Sequence, residues 1–272
     1  MKLAVSAIAW TEEEEIQAFE LLEKAGIKFV ECVPARFLVD PVRFRRNLQS
    51  KGLRAVACQA LLYGTQGLHL FESTESRKRL TAHFKKISKA ASKVGARTLV
   101  FGSPKARFID LDLMTLSTAR KLAIVFFKEL GSQVSEDGCV VCIEPNPPLY
   151  GCNFLTTSLE AFEFVSDVNT PGVELNIDLG TISINGEDSL KLMNATLETI
   201  GHLHISEPNL TPAAPFGLQA FHHNGLRSAL GAVNYENLIS IEMSRDQSFS
   251  WPEWSVVLKK SIEQVREFYA LP

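Results

Sequence analysis

A helical stretch that ends in glycine and is followed by a short apolar run repeats along the chain. Glycine just past a helix end adopts the left-handed conformation that leads into the next strand. The repeat occurs at six glycines: Gly26, Gly52, Gly95, Gly138, Gly172 and Gly201. With one further apolar run at each end of the chain, it predicts eight strands, at residues 3–9, 27–33, 53–60, 96–101, 139–143, 173–177, 202–205 and 238–243.

The segments between these runs have the apolar spacing of amphipathic helices. Helices are predicted at 11–25, 80–94, 161–168 and 254–269, and the capping boxes Thr11/Glu14 and Thr157/Glu160 mark the starts of the first and third. Eight strand–helix units in 272 residues favour a (β/α)8 (TIM) barrel. A doubly wound sheet is the alternative, but it usually has a glycine-rich loop after its first strand, and residues 7–11 contain no glycine. We expect one domain over residues 1–272.

The charge balance argues against a nucleic-acid or membrane partner. Lysine and arginine total 28 and aspartate and glutamate 31, a net charge of −3. No apolar run approaches the ~20 residues that span a bilayer. Residues 3–10 are read as a first strand rather than a signal peptide, because acidic residues follow directly. We expect a cytoplasmic protein.

The five cysteines do not suggest a disulfide scaffold. Cys139 and Cys142 form a C-x-x-C motif inside an apolar run, where alternate side chains of a strand point to opposite faces. We therefore expect buried structural cysteines there rather than a metal site.

Four residues with metal-binding side chains stand at the ends of the last four predicted strands. They are Glu144, Asp178, His204 and Glu242. The chemistry of a TIM barrel sits at the carboxyl ends of its strands, so the four side chains should converge. Three carboxylates packed together repel one another unless a cation joins them. Three oxygens and one imidazole suit Mn²⁺, Mg²⁺ or Co²⁺, with Zn²⁺ or Fe²⁺ as further options. The alternative is that each residue caps a loop or pairs with an arginine.

The remaining histidines carry weaker signals. His202 is predicted to be a hydrogen-bonded core residue one layer below His204. His222 and His223 are expected to be solvated. Residues 207–218 form the longest irregular stretch, with three prolines, and a loop of that length in a compact domain is often functional.

Four short motifs resemble the last four strands of the xylose isomerase-like TIM barrels. They are IEPN at 143–146, NIDLGT at 176–181, HLHISE at 202–207 and IE at 241–242. More narrowly, the chain resembles the bacterial sugar phosphate isomerase/epimerase group, which includes ketose 3-epimerases, hydroxypyruvate isomerase and inosose dehydratase. The resemblance covers nearly the whole chain.

The resemblance implies that Glu144, Asp178, His204 and Glu242 bind one divalent metal ion. Glu144 and Glu242 would face each other across a sugar, sugar phosphate or sugar acid and move a proton through a metal-stabilised enediolate. The outcome would be isomerisation or epimerisation. Alternatives are dehydration of a polyol or keto acid at the same metal, or a barrel that binds a carbohydrate without turning it over.

Three positions depart from the ketose epimerases. Thr181 stands where these have a histidine, Leu210 where they have an arginine, and Tyr150 where they have a glutamate. These departures argue against a free-ketose 3-epimerase and imply that different residues contact the substrate.

Other polar residues near the strand ends are candidates for binding the substrate. Lys105 and Arg107 would hold a phosphate or carboxylate, or are ordinary loop cations. Asn146 and Glu207, close after the fifth and seventh strands, are assigned to substrate binding. Gln59, Glu31 and Arg36 are weaker candidates, which could instead form rim hydrogen bonds or a structural ion pair.

The nuclease relatives of this fold use a multi-zinc cluster rich in histidine. This chain has six histidines and a slightly acidic balance, which argue against DNA cleavage.

A homo-oligomer is left open, because Phe249, Trp251 and Trp254 could pack between subunits or simply pack a helix.

Overall fold

Eight parallel strands close into a barrel in chain order, and helices cover its outer face. The computed structural model describes residues 1–271, apart from the side chain of residue 218. The strands are β1 (Lys2–Ser6), β2 (Phe29–Cys32), β3 (Arg54–Cys58), β4 (Thr98–Phe101), β5 (Val140–Ile143), β6 (Val173–Asp178), β7 (Ile200–Ser206) and β8 (Leu238–Glu242). β1 pairs with β8, with Leu3 opposite Ile239. The predicted (β/α)8 barrel is therefore confirmed, and an open doubly wound sheet is excluded.

Nine α-helices lie among the described residues. They are α1 (Glu15–Lys24), α2 (Pro41–Ser50), α3 (Thr74–Val94), α4 (Leu116–Ser135), α5 (Ser158–Val168), α6 (Leu179–Asn185), α7 (Ser189–Thr196), α8 (Ala220–Ala232) and α9 (Trp251–Phe268). None of the helices in residues 1–271 is both long enough and apolar enough to cross a membrane.

The predicted and observed boundaries differ most near the first helix. Residues 7–9 form a short 3-10 turn instead of extending β1. α1 begins at Glu15 rather than at residue 11. The carboxylate of Glu14 accepts a hydrogen bond from the Thr11 amide at 2.9 Å and pairs with Arg245 at 2.7 Å. That distant partner holds residues 11–14 in a turn, which local sequence cannot reveal. The Thr157/Glu160 capping box of α5 is confirmed.

The glycine repeat has two different physical causes. Gly26, Gly52, Gly95 and Gly138 have positive φ, as left-handed caps require. Gly172 and Gly201 do not have positive φ. A Cβ at Gly172 would overlap the Gly131 carbonyl oxygen, and a Cβ at Gly201, inside β7, would overlap the carboxylate of Glu174. The pattern indicated strands correctly at these two positions, but both glycines serve close packing.

The hydrophobic core lies between the barrel and its helices. Phe84, Phe101, Phe127 and Phe164 are fully buried, and successive rings in this series lie 5.3–5.7 Å apart. Such contacts are favourable beyond the apolar area that they bury. The helices are thus fixed to the outer face of the barrel by apolar packing.

Polar side chains fill much of the barrel interior, which in this fold is usually occupied by branched apolar residues. Ser6, Glu31, Asn176, His202 and Ser240 are all at most 2% exposed. Buried polar groups are costly unless they are paired. This polar layer lies beneath the mouth of the barrel and supports the residues there.

The cysteines are confirmed as buried free thiols. Burial raises the pKa of Cys139 to about 11 and also raises the pKa of Cys142 well above its usual value. Burial thus disfavours the thiolate form of both, as expected of structural cysteines. Trp254 is buried and donates from Nε1 to the Ala9 carbonyl oxygen at 2.6 Å, so it packs α9 onto the barrel.

Candidate metal centre

The last four strands bring Glu144, Asp178, His204 and Glu242 together at the carboxyl-terminal mouth of the barrel. One ligand atom from each lies within 4.8 Å of the others. Parallel neighbours in register produce this convergence: Asp178 pairs with His204 in the sheet, and Ser206 pairs with Glu242. His204 is fully buried, while the side chains of Glu144 and Glu242 remain 14% and 8% exposed. The group could hold one metal ion that stays within reach of a ligand from solvent.

The two nitrogens of His204 face different partners. Nδ1 lies 2.9 Å from Glu144 Oε1 and 3.1 Å from Glu242 Oε2. Nε2 lies 3.0 and 3.1 Å from the two oxygens of Glu31. A ligating histidine usually donates its other N–H to a carboxylate, which fixes the tautomer and the ring. The geometry therefore presents Nδ1 to a cation and assigns Glu31 to its support.

The pKa shifts in the cluster indicate that a bound cation would replace protons. Burial raises the pKa of Glu242 to about 7 and also raises the pKa of Asp178. Burial alone would lower the pKa of His204, but the carboxylates of Glu31 and Glu242 outweigh it and raise the pKa well above its usual value. Protons thus balance the crowded carboxylates in the metal-free protein, and a divalent cation would displace them.

Glu31 lies in a fully buried network below the cluster. Ser240 Oγ donates to Glu31 Oε2 at 2.8 Å, and His202 Nε2 lies 3.2 Å from Glu31 Oε1. Burial disfavours the charged carboxylate, but the imidazoles of His204 and His202 outweigh it and lower the pKa of Glu31. His202 is therefore buried in the core, as its position predicted, with its Nε2 close to Glu31 but without hydrogen-bond geometry.

Glu31, His202 and His204 form a second group of potential ligand atoms. All three side chains are at most 2% exposed, so the group is closed to solvent. This buried group is better suited to support the four-residue cluster at the mouth of the barrel than to bind a separate ion. The sequence made Glu31 a weaker candidate for substrate binding that could instead form rim hydrogen bonds or an ion pair, and the structure places it against His204 and His202.

Asp178 is oriented by donors from its own chain. Its Oδ1 accepts from the Thr181 amide at 2.6 Å, which caps α6, and its Oδ2 accepts a hydrogen bond from Ser206 Oγ. Ser206 Oγ in turn accepts from the Gly180 amide at 2.8 Å. The carboxylate is fixed at the end of β6 before any ligand arrives.

A cavity of about 410 Å³ opens above the four residues, within the size range of small-molecule sites. We call it the inner cavity. Its lining includes three of the four cluster residues, two residues predicted to bind substrate, and all three positions that depart from the ketose epimerases: Glu144, Asp178, Glu242, Asn146, Glu207, Tyr150, Thr181 and Leu210. Among its described lining residues four are acidic and none is cationic, so the inner cavity favours a cation.

Two loops meet over the inner cavity. The Tyr150 hydroxyl, on the loop after β5, accepts a hydrogen bond from the Asn209 amide after β7 at 2.8 Å. Asn209 and Leu210 have φ values of 59° and 53°, a conformation that is unusual for residues other than glycine. Such backbone conformations are often found at functional sites.

Glu207 is held by a histidine that the sequence assigned to solvent. His223 is fully buried, so that expectation was wrong. Its Nε2 lies 2.7 Å from Glu207 Oε1, its Nδ1 lies 2.9 Å from the Tyr269 hydroxyl, and its ring stacks on Phe216. His222 is only partly buried. The fold of the proline-containing loop over α8, which local sequence does not specify, separates the two neighbours.

The remaining candidates for substrate binding lie away from the inner cavity. Arg107 is fully buried and donates from Nη2 to the Glu144 carbonyl oxygen at 2.7 Å. Gln59 donates to Ser6 Oγ inside the barrel. Arg36 donates to the Trp10 carbonyl oxygen at 2.6 Å and lies 3.5 Å from Glu15. Lys105 is exposed and lines an adjoining cavity. Arg107 and Arg36 are thus structural cations in this fold.

Comparison with known proteins agrees with this architecture. The sequence model of the xylose isomerase-like TIM barrel matches residues 19–268. A search of curated proteins by sequence finds no match. Among solved structures, D-psicose 3-epimerase from Clostridium cellulolyticum H10 has a TM-score of 0.82 at 16% identity, over 99% of each chain.

Two further structures have the same fold. The 3-keto-D-glucoside 4-epimerase YcjR from E. coli has a TM-score of 0.78 at 17% identity, over 95% of this chain and 97% of that one. The IolI protein with a bound zinc atom has a TM-score of 0.77 at 18% identity, over 100% of both chains. At these identities the likeness establishes the fold.

Proposed function

Because the chain belongs to the xylose isomerase-like TIM barrel family, we propose that it is a divalent-metal-dependent sugar isomerase or epimerase. Glu144, Asp178, His204 and Glu242 hold the metal ion. The substrate is a sugar or a sugar derivative with a carbonyl group, and the reaction moves a proton at the carbon beside that carbonyl.

The observation that carries the proposal is the convergence of four ligand atoms within 4.8 Å beneath an open cavity. Three carboxylates and an imidazole in one buried cluster are costly without a cation. Oxygen ligands with one imidazole suit Mn²⁺, Mg²⁺ or Co²⁺, and the donor set also admits Zn²⁺ or Fe²⁺. The similar structures, two sugar epimerases and a protein with a bound zinc atom, agree with this choice.

Residues of this chain carry the proton transfer. Glu144 and Glu242 both line the inner cavity, whereas both carboxylate oxygens of Asp178 already accept hydrogen bonds, from the Thr181 amide and from Ser206 Oγ. The two glutamates are therefore best placed to reach a bound substrate. One removes the proton from the carbon next to the carbonyl, and the other returns a proton to that carbon or its neighbour. Return to the opposite face of the same carbon is epimerisation, and return to the neighbouring carbon is isomerisation.

The metal ion would supply Lewis-acid stabilisation of the negative charge that develops on the substrate oxygens. Asn146, whose Nδ2 lies 3.4 Å from Glu144 Oε2, and Asn176, whose Nδ2 donates to Glu144 Oε1 at 2.8 Å, hold the Glu144 carboxylate in place. Glu207, held by His223, offers its second oxygen to a substrate hydroxyl.

Solvent deuterium exchange tests the proposal. The Mn²⁺-loaded protein is incubated in D₂O with a panel of ketoses, aldoses, sugar acids and their phosphate esters, and each substrate is examined by mass spectrometry and NMR. We expect at least one compound to gain one deuterium at a carbon beside its carbonyl. The Glu144→Gln and Glu242→Gln variants should lose this exchange, and Glu174→Gln, inside the barrel but outside the cluster, should retain it.

The same experiment separates the alternatives. Loss of a water mass from the substrate identifies a dehydratase at the same site. Tight sugar binding with no exchange in any compound identifies a binding protein and contradicts the proposal.

A further inference from the structure

A second cavity adjoins the inner cavity. It has a volume of about 520 Å³ and is lined by residues of the loop after β3 and by the segment Ser103 to Ala106 after β4. Ser103 and Pro104 line both cavities. Each volume alone falls in the range of a small-ligand site, so together they offer more room than one monosaccharide ring fills. We call the second one the outer cavity.

The two cavities have opposite electrostatic character. Four carboxyl groups line the inner cavity, whereas the described lining of the outer cavity contains no acidic residue. Its ionisable residues are Lys105 and His69, and Thr65 and Gln66 add neutral polar groups. An anionic group therefore gains attraction in the outer cavity, while in the inner cavity it would compete with four carboxylates for one cation.

Lys105 is available to such a group. Its side chain is exposed, and it pairs with no carboxylate among the described residues. Arg107, the other cation of this segment, is buried against the Glu144 carbonyl. Lys105 is thus the cation of this loop that can meet a ligand.

The backbone between the two cavities connects the metal cluster to Lys105 by a short, closely packed segment. Gly102 packs so closely against the Glu144 carboxylate that a Cβ there would overlap it. Ser103, the next residue, has φ 43° and ψ 63°, a left-handed conformation that turns the chain into the segment bearing Lys105. Lys105 is therefore three residues from a direct neighbour of the metal cluster.

We propose that the outer cavity is an anion subsite, so that the substrate is a sugar with a phosphate ester or carboxylate remote from its reacting carbonyl. The inference rests on the proposed function: the carbonyl end binds over the metal cluster, and the anionic end extends past Ser103 and Pro104 to Lys105. It also accounts for Leu210, which provides no cation in the inner cavity where ketose epimerases have an arginine.

Calorimetric titration of the Mn²⁺-loaded protein tests the subsite with three matched probes. D-Fructose, D-fructose 6-phosphate and D-fructuronate differ at carbon six, where they carry a hydroxyl, a phosphate and a carboxylate. The variants are Lys105→Met and, as a matched control, Lys89→Met, an exposed lysine of α3 that lines neither cavity.

We expect the phosphate or the carboxylate probe to bind the wild-type protein about tenfold more tightly than fructose, the gain of one charge-assisted contact. Lys105→Met should remove this advantage and leave fructose affinity unchanged, whereas Lys89→Met should retain it. The better of the two anionic probes identifies the group.

Three results would overturn the subsite: neither anionic probe exceeds fructose, the advantage persists in Lys105→Met, or no probe binds. Manganese stoichiometry on the same samples separates the two claims. One bound equivalent without an anion preference refutes the subsite alone, and a protein that binds no metal refutes the proposed function.

Discussion

At the scale of single residues, the site depends on a carboxylate that cannot touch the substrate. Glu31 is fully buried and lies within 3.1 Å of His204 Nε2, while Nδ1 of the same ring faces Glu144 and Glu242. A partner of this kind fixes the tautomer and orientation of a ligating histidine. Glu31 is therefore a positioning residue.

Replacing Glu31 tests that role. Glu31→Gln should weaken Mn²⁺ binding about 10- to 100-fold, because the amide can leave His204 in the wrong tautomer. The measurement is the Mn²⁺ dissociation constant, taken with circular dichroism to verify folding. Glu174→Gln is the matched control and should bind Mn²⁺ as the wild type does. Unchanged affinity in a folded Glu31→Gln protein would refute the positioning role.

Protonation of the cluster gives metal binding a pH dependence of known sign. Burial raises the pKa of Glu242 to about 7 in the metal-free protein. Below that pH a cation must displace the proton, so apparent affinity falls as pH falls, by about tenfold per unit for each proton displaced. The raised pKa of His204 adds to this slope. Mn²⁺ titrations between about pH 5.5 and 8 measure this pH dependence. An affinity that does not change with pH would contradict protonation of the metal-free cluster.

At the scale of elements, the loop after β4 is shaped around the end of β5. Gly102 leaves space that the Glu144 carboxylate occupies, and Arg107 holds the Glu144 carbonyl. A non-glycine residue at 102 therefore conflicts with a ligand of the cluster, although residue 102 contributes no side chain to it.

Gly102→Ala should displace the Glu144 carboxylate and reduce Mn²⁺ affinity by about tenfold or more, a cost of at least ~1.4 kcal/mol. Gly231→Ala is the matched control: it lies in α8 with open space around its Cβ position. That change should leave metal affinity intact and stabilise the protein by about 0.5–1 kcal/mol. Equal metal affinity for both variants would show that Glu144 adjusts freely to the added methyl group.

At the scale of the whole molecule, the strand and helix order was predictable from sequence because apolar periodicity and glycine caps are local signals. The convergence of Glu144, Asp178, His204 and Glu242 also followed, since all barrel strands end at one mouth. Interactions between distant segments could not be predicted in this way. Glu14 pairs with Arg245 in the turn before α1, and α8 packs so that His223 is buried against Glu207. Arg107 was a candidate for substrate binding because of its position after β4. Only the packed structure of that loop shows that its side chain is buried.

Metal stoichiometry tests whether the four strand ends form one metal site. Wild-type protein and Glu242→Gln are purified without chelators, equilibrated with Mn²⁺, Mg²⁺, Co²⁺ or Zn²⁺, dialysed and examined by elemental analysis. We predict about one equivalent of a divalent ion in the wild type, from four ligands around one centre, and a clear loss in Glu242→Gln. Absence of all four metals from the wild type, or equal metal content in the two proteins, would contradict the proposed site and its function.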